Sequence, residues 1–256
     1  MSVITLETAI GLGLVVAAAI LMFLFSLPPR PGKRSNFALR PINGLSRLRR
    51  ALGLAVENGT RLHVSLGKSN GVGPVSAASL VALSTLERIA QISSVSDRPP
   101  VASSGDGALS ILSQDTLKGA YRAVNASELY DPNRGRLTGV PPFSYVAGTL
   151  PIERNEHVSA NVLVGTLGPE AALLAEAAQR ERAFALAASD SLPGQAVLYA
   201  AAEEALIGEE LYAVPAYLQA GPFHRASLRA QDVLRWALVG LILAGAVLAI
   251  LGIKIL

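Results

Sequence analysis

Two long apolar runs, one near each end of the chain, constrain this sequence more than any other feature. Residues 8–27 read TAIGLGLVVAAAILMFLFSL and residues 236–253 read WALVGLILAGAVLAILGI, and neither run contains a charged residue. A helix needs about 20 apolar residues to cross a hydrocarbon core of about 30 Å. We therefore predict one transmembrane helix in residues 1–28 and a second in residues 223–256, with a folded domain between them.

The charges beside the two runs predict their orientation. Basic residues stand on the domain side of each run, namely Arg30, Lys33 and Arg34 after the first, and Arg225, Arg229 and Arg235 before the second. Because basic flanks stay in the cytoplasm, we expect both termini outside and the domain in the cytoplasm. A cleaved signal peptide would begin with a basic region, whereas here Glu7 precedes the first run.

Residues 29–60 form a basic juxtamembrane segment with an amphipathic pattern. In residues 41–59, apolar side chains recur at helical spacing while three arginines lie close together at positions 47, 49 and 50. This helix could lie on the anionic inner leaflet with its arginines near the head groups. It could instead be the first helix that packs on the sheet of the domain.

Residues 61–222 read as an α/β domain, and its opening unit is the clearest. Residues 61–67 alternate apolar side chains as a strand does, a glycine loop follows, and residues 74–90 carry leucines at helical spacing, with Pro74 suited to the first helical turn. The same order recurs in residues 101–123. Two such consecutive units predict a Rossmann-like fold, in which a largely parallel sheet is flanked by helices, between two single transmembrane helices.

The remaining elements of the domain follow from the same patterns. Residues 125–142 are rich in turn formers and predict a surface loop. We predict strands at residues 143–149, 158–164 and 195–199, and helices at residues 168–188, 201–206 and 209–219.

The two glycine turns are the candidate ligand site. The first turn contributes Lys68, Ser69, Gly71 and Gly73, and the second contributes Gly105 and Asp106. Parallel strands with right-handed crossovers end at one sheet edge, where free helix N–H groups favour an anion. The motif is an imperfect match to both the P-loop and the dinucleotide pattern. Alternatively, the glycines only let each strand meet its helix closely, and Asp106 is an ordinary turn residue.

Other kinds of site find little support in the sequence. The chain has no cysteine, and its three histidines, at positions 63, 157 and 224, are too scattered to predict a metal site. No serine stands in a G-x-S-x-G pattern, so we predict no catalytic residues. An enzyme that acts on a cytoplasmic or lipid-derived substrate stays open as a class, but nothing specific in the sequence supports it. The basic residues gather beside the first apolar run instead of spreading over the domain, which predicts no binding of nucleic acid.

Four phrases of the sequence carry a resemblance to a known family. They are SLGKSNGVG, GDGALSILSQDTLKGAY, GTLGPEAALLAEA and the stretch LIGEELYAVPAYLQAGPFHRASLRAQDVLR from Leu206 onward. They resemble a family of uncharacterised bacterial membrane proteins known as a domain of unknown function. The resemblance implies a protein of the bacterial inner membrane with two spans and a cytoplasmic α/β domain, but it brings no activity, substrate or cofactor.

Two functions remain as expectations. The first is a membrane-anchored scaffold or interaction protein, part of a larger assembly, whose partners are the lipid bilayer and either further copies of the chain or other membrane proteins. Small residues four apart, Gly13 with Ala17 and Gly245 with Ala249, would let its helices approach closely in lipid. The alternative is a sensor that binds an anionic small molecule or nucleotide at the glycine turns. We expect no other cofactor.

Overall fold

The chain folds into two compact units. A computed structural model describes residues 6–27, 39–68 and 75–250. One unit comprises Leu39–Ala220, and the other holds the helices at the two ends of the chain.

The described residues form nine α-helices and one six-stranded sheet. The helices are α1 (Leu6–Ser26), α2 (Asn43–Glu57), α3 (Ala77–Ile92), α4 (Gly107–Ala123), α5 (Pro142–Asn155), α6 (Ala172–Arg180), α7 (Leu192–Ala201), α8 (Glu210–Tyr217) and α9 (Pro222–Ile250). The strands are β1 (Arg61–Gly67), β2 (Val101–Ser104), β3 (Gly135–Leu137), β4 (Val158–Thr166), β5 (Phe184–Ser189) and β6 (Glu204–Leu206).

The terminal unit consists of α1 and α9, which pack against each other. Within the described ranges, one helical segment is long and apolar enough to cross a membrane, Pro222–Leu248, with a mean hydropathy of 1.6. None of its apolar window is buried, unlike that of a core helix in a soluble protein. The apolar part of α1, Gly11–Ser26, is shorter than the 18 residues that this criterion requires. The structure thus supplies one candidate span, at the second of the two predicted positions.

The sheet of the domain is entirely parallel, with the strand order β3-β2-β1-β4-β5-β6. This is the strand order of a doubly wound α/β fold, so the predicted α/β class with a parallel sheet is confirmed. The order reverses between β1 and β4, and ligands of open α/β sheets bind at the carboxyl ends of the strands at such a point.

The alternation of side chains along β1 explains its central position. Leu62, Val64 and Leu66 point to one face of the sheet and join the main hydrophobic core. That core is completed by α2, α3, α4 and α8, while a smaller core on the other face involves α5, α6 and α7. His63 and Ser65 point to this second face, and both are fully buried. The second face of β1 is therefore polar although it lies inside the protein.

The first half of the domain follows the prediction closely. The amphipathic segment forms α2, whose Leu45, Leu48 and Leu52 are buried in the main core, so the helix packs on the sheet. The helix after β1 begins at Ala77, later than Pro74 suggested, because Ser76 is its N-cap and accepts from the Ser79 N–H at 3.1 Å. Pro74 itself lies outside the described residues.

Two predictions around residues 125–149 are wrong. Residues 143–149 belong to α5 instead of a strand, because a proline in the first turn starts the helix and its buried residues Tyr145, Thr149 and Ile152 recur at helical spacing. The segment 125–142 is not only loop, since it contains the short edge strand β3, which pairs with β2.

Three predictions in the second half of the domain are also wrong. The helix predicted at 168–188 ends at Arg180, and alanine-rich β5 follows, since β5 pairs with strands on both sides and its small side chains are buried between helices. Residues 195–199 lie in α7, which Ser191 caps, and not in a strand. The helix predicted at 201–206 is instead β6, an edge strand beside β5. By contrast, the helix predicted at 209–219 is present as α8.

Candidate functional site

The ends of β1 and β2 lie side by side at the carboxyl edge of the sheet. The Gly105 N–H donates to the Gly67 carbonyl oxygen at 2.8 Å, which joins the two turns directly. A Cβ atom at Gly105 would overlap the Lys68 side chain, so only glycine leaves room for that lysine. The structure therefore brings Lys68 and Gly105 together, whereas Ser69, Gly71 and Gly73 lie outside the described residues.

Lys68 is held over the point where the strand order reverses. Its backbone N–H donates to the Thr166 carbonyl oxygen at the end of β4, at 3.0 Å. Its Nζ lies 3.2 Å from Oε1 of Glu170, whose side chain is only 8% exposed. An anion at this edge would therefore have to share Lys68 with Glu170 or displace its carboxylate.

Asp106 has a structural role in the described fold. It is the N-cap of α4, and its Oδ1 accepts from the N–H of Ala108 at 2.8 Å and from that of Leu109 at 3.2 Å. These bonds satisfy two N–H groups that a helix start leaves without partners, and the carboxylate complements the helix dipole. Asp106 therefore lies beside the candidate site, with one carboxylate oxygen committed to its helix.

The carboxyl edge also contains polar residues that sequence reasoning missed. Thr166 Oγ1 donates to Asp190 Oδ2 at 3.0 Å and lies 3.3 Å from Ser76 Oγ. The other Asp190 oxygen, Oδ1, is buried without a hydrogen-bond partner among the described residues. Since Glu170 already neutralises Lys68, Asp190 makes this edge more acidic than the sequence suggested. The sequence signal for these residues is their position, because Thr166 is the last residue of β4 and Asp190 directly follows β5.

A second cluster of polar side chains lies buried between α5 and the middle of the sheet. His63 Nε2 is 2.8 Å from Ser103 Oγ on β2, and His63 Nδ1 is 2.8 Å from Asn161 Oδ1 on β4. The Asn161 amide donates to Glu153 on α5, and Tyr145 on α5 shares a hydrogen bond with Ser65. We call these residues the buried polar network: Ser65, His63, Ser103, Tyr145, Glu153 and Asn161.

The two network residues on α5, Tyr145 and Glu153, lie along one side of the helix. Tyr145, Thr149 and Glu153 are four residues apart, so they lie on the same side of the helix. Thr149 Oγ1 donates to the Tyr145 carbonyl oxygen at 2.8 Å and lies 2.9 Å from Thr138 Oγ1. Hydrogen bonds join α5 to the strands here, between Tyr145 and Ser65 and from Asn161 to Glu153.

Burial shifts the protonation of three members of the network. It raises the pKa of Glu153 to about 8, against the lowering effect of the Asn161 hydrogen bond, so the carboxyl is mostly neutral near pH 7. Burial also lowers the pKa of His63 to about 4, so the imidazole is neutral. It raises the pKa of Tyr145 as well. With Asn161 Oδ1 as acceptor, the Nδ1 of His63 carries the proton and Nε2 accepts from Ser103.

The order Ser103, His63, Asn161 is that of a nucleophile, a base and an orienting amide. All three side chains are nevertheless 0% exposed, and Tyr145 on α5 covers them at 1% exposure. An imidazole with a pKa of about 4 is also a weak base near neutral pH. In the described fold this arrangement is closed to a substrate, and the network that contains it joins α5 to the sheet.

The sequence did contain a signal for the network. The polar residues His63 and Ser65 alternate with the leucines and valine of β1, and Asn161 falls between apolar residues of β4. Alternation of this kind usually marks a solvent-facing side. Here the polar side is covered by a helix. The described residues contain no group of three or more His, Asp or Glu side chains that could hold a metal ion.

Comparison with known proteins gives one match. The model of a family described as a domain of unknown function (DUF6754) matches residues 4–256, which is nearly the whole chain. No curated protein and no solved structure matches the chain.

Proposed function

The chain belongs to the DUF6754 family, whose description names no activity. We propose that it is a membrane-anchored scaffold or interaction protein within a larger membrane assembly. The observation that carries this proposal is the closed state of the buried polar network. Its side chains have the residue types of a catalytic site, yet each is at most 3% exposed. A domain that uses such residues for its own cohesion is suited to present a surface, and a helix apolar enough to cross the bilayer follows it directly.

We propose further that both α1 and α9 cross the bacterial inner membrane, with the domain in the cytoplasm and both termini outside. The pairing of α1 with α9 supports this, because two apolar helices that pack together can share a bilayer. The arginines on the domain side of each apolar run support the orientation.

The absence of native cysteine allows a direct test of this topology. A cysteine at Ser2 should react with a membrane-impermeant maleimide in intact cells, and a cysteine at Ser127, which is exposed on the domain, should react only after lysis. Gln179, exposed on α6, offers a second domain position to exclude a local effect. Reaction of Ser127→Cys in intact cells would place the domain outside and refute the proposed topology.

The scaffold proposal is tested by the mass of the native assembly. Protein extracted from its own membrane in gentle detergent should migrate as a complex well above the 26.6 kDa of one chain plus its micelle. The stoichiometry from cross-linking and mass spectrometry then separates a homo-oligomer from a complex with other membrane proteins. A chain that is monomeric at native abundance, with no reproducible cross-linked partner, contradicts the proposal.

A second function, a sensor for an anionic small molecule or nucleotide, is favoured by the position of Lys68. This lysine lies where the strand order reverses, and Gly105 is the residue that makes room for it. A ligand at 100 times its dissociation constant would stabilise the domain by about 2.7 kcal/mol, which appears as a shift in melting temperature.

The sensor proposal is tested by melting the full chain in detergent with nucleotides and sugar phosphates. Lys68→Gln should abolish the shift, because it removes a positive charge that attracts an anion to the site. Lys118→Gln is the matched control, since Lys118 is exposed on α4 and away from this edge. If no ligand shifts the parent, or if both variants respond as the parent does, the glycine turns are purely structural.

A further inference from the structure

Three arginines converge on one carboxylate at the amino edge of the sheet. Arg61 opens β1, Arg136 lies in β3 and Arg134 directly precedes β3. Their nearest distances to the carboxylate oxygens of Glu156 are 2.7 Å for Arg61, 2.5 Å for Arg136 and 3.5 Å for Arg134. We call these three side chains the arginine cluster. Because Glu156 follows the end of α5, residues from three separate segments meet at this point.

The arginine cluster is held in place by contacts that do not involve Glu156. Arg136 Nε donates to the Asn133 carbonyl oxygen at 2.9 Å, and Arg134 Nε lies 3.3 Å from Asp131 Oδ2. The Arg61 side chain is only 11% exposed, so packing restricts it. The guanidinium groups are therefore preorganised around the position that the Glu156 carboxylate occupies.

The cluster has more positive charge and more donors than its carboxylates satisfy. Three guanidinium groups face two carboxylates, Glu156 and Asp131, which leaves one positive charge in excess. Within the described part of the chain, the buried Arg61 Nε makes no hydrogen bond, and Nη1 of the same residue meets Glu156 outside hydrogen-bond geometry. Buried donors need a further acceptor, and an oxygen-rich ligand would supply it.

From this geometry we propose that the arginine cluster is a binding site for a phosphoryl group, either inorganic phosphate or a phosphate monoester. Glu156 occupies the site in the free protein, and the phosphoryl group takes its place among the three guanidiniums. A phosphate dianion offers three or more acceptor oxygens and about twice the charge of a carboxylate, and guanidinium groups bind it in bidentate fashion. Arg134 and Arg136, whose side chains are 22% and 34% exposed, provide the entrance.

This site is separate from the one proposed around Lys68. Arg61 is the first residue of the seven-residue strand β1 and Lys68 directly follows its last residue, so the two residues stand at opposite ends of that strand. At about 3.3 Å per residue the two sites are roughly 23 Å apart, at opposite edges of the sheet. Variants of one site therefore leave the other intact, and the two proposals can fail independently.

The test is a calorimetric titration of the full chain in neutral detergent with inorganic phosphate and with glycerol 3-phosphate. An ionic strength of about 0.15 M limits non-specific attraction, because the Debye length is then about 8 Å. A third titration uses micelles that contain phosphatidic acid, which presents the same phosphoryl group on a lipid. The parent should bind at least one of these probes, and the probe that binds identifies the source as soluble or lipid.

Two variants give opposite results if the proposal is correct. Arg136→Gln should weaken binding at least about tenfold, since it removes a charge-assisted hydrogen bond. Glu156→Gln should tighten binding about tenfold, because it removes the competing charge, and a misfolded protein cannot show such a gain. Arg154→Gln, an exposed arginine on α5 paired with Glu181, is the matched control and should bind as the parent does.

Three results would overturn the proposal. The first is that neither the parent nor Glu156→Gln binds any of the three probes. The second is that Glu156→Gln binds no more tightly than the parent. The third is that Arg136→Gln, with an unchanged circular dichroism spectrum, binds as tightly as the parent. In each case the arginine cluster is a structural ion-pair group that joins β1, β3 and α5.

Discussion

Replacing Glu153 by glutamine should remove a pH dependence of stability that its buried carboxyl group imposes. Glu153 is 3% exposed, and its Oε2 has no hydrogen-bond partner among the described residues. Burial raises its pKa from 4.5 to about 8. Between these values the folded domain keeps the proton and the unfolded chain loses it. The stabilisation from the neutral carboxyl is therefore complete below pH 4.5 and is lost progressively up to pH 8.

The size of this effect follows from the two pKa values. Each pH unit between them lowers the free energy of unfolding by about 1.4 kcal/mol. Between pH 5.5 and 7.5 the loss from Glu153 is therefore about 3 kcal/mol. This is a large part of the free energy of unfolding of a native protein, which is roughly 5–15 kcal/mol. Glutamine can still accept from the Asn161 amide but does not titrate. The difference in stability, variant minus parent, should rise by about 3 kcal/mol over this range.

Urea unfolding of the compact unit Leu39–Ala220, followed by circular dichroism, measures this difference. Each protein is unfolded at several pH values, and a single cooperative transition with an unchanged m-value is required at each. Glu176→Gln is the matched control, because Glu176 is about half exposed on α6 and forms an ion pair with Arg180. Any pH dependence that this control shares with Glu153→Gln does not come from the burial of Glu153.

A flat difference for Glu153→Gln would refute the reasoning. It would mean that the carboxyl is ionised in the folded domain and that hydrogen bonds, with water included, compensate for its burial. A difference that falls as pH rises would show the opposite sign, with the folded state favouring the charged form.

Three further perturbations test other parts of the structure. Burial lowers the pKa of His63 from 6.5 to about 4, so the fold favours the neutral imidazole, and the parent should lose about 3 kcal/mol of stability as pH falls through this range. His63→Gln should remove this pH dependence. Unfolding at several pH values measures it, and an unchanged slope in the variant contradicts the prediction. Asp106→Ala should cost about 1 kcal/mol by urea unfolding, since it removes the N-cap of α4, and Asp106→Asn should cost less. Gly245→Leu should lower the mass of a detergent-solubilised oligomer by blocking close helix approach, and equal masses would show that this face contacts only lipid.

Local patterns were sufficient for the first half of the domain. β1, β2, α2 and α4 were predicted near their observed positions, because each combines a clear period with a turn or cap residue beside it. They were not sufficient for β5, whose sequence FALAAS has the composition of a helix. Its pairing with β4 and β6 outweighs the weak preference of alanine for helix.

The candidate sites also divide into features that local patterns predicted and features that they did not. Adjacent turns at Lys68 and Gly105 followed from the parallel topology that two strand-turn-helix units predict. The pairing of Lys68 with Glu170, and the role of Asp106 as a helix cap, did not follow, because they depend on where distant or neighbouring helices begin.

The sequence by itself determined the apolar terminal helices, the α/β class and the glycine turns, since each depends on the order of residues within about 30 positions of one another. Only the tertiary structure decided the buried polar network and the arginine cluster. His63 meets Ser103 across 40 positions and Asn161 across 98. Contacts at such separations depend on strand order, register and the placement of α5. A local pattern contains none of these, because its period tells which side a residue faces and not what covers that side.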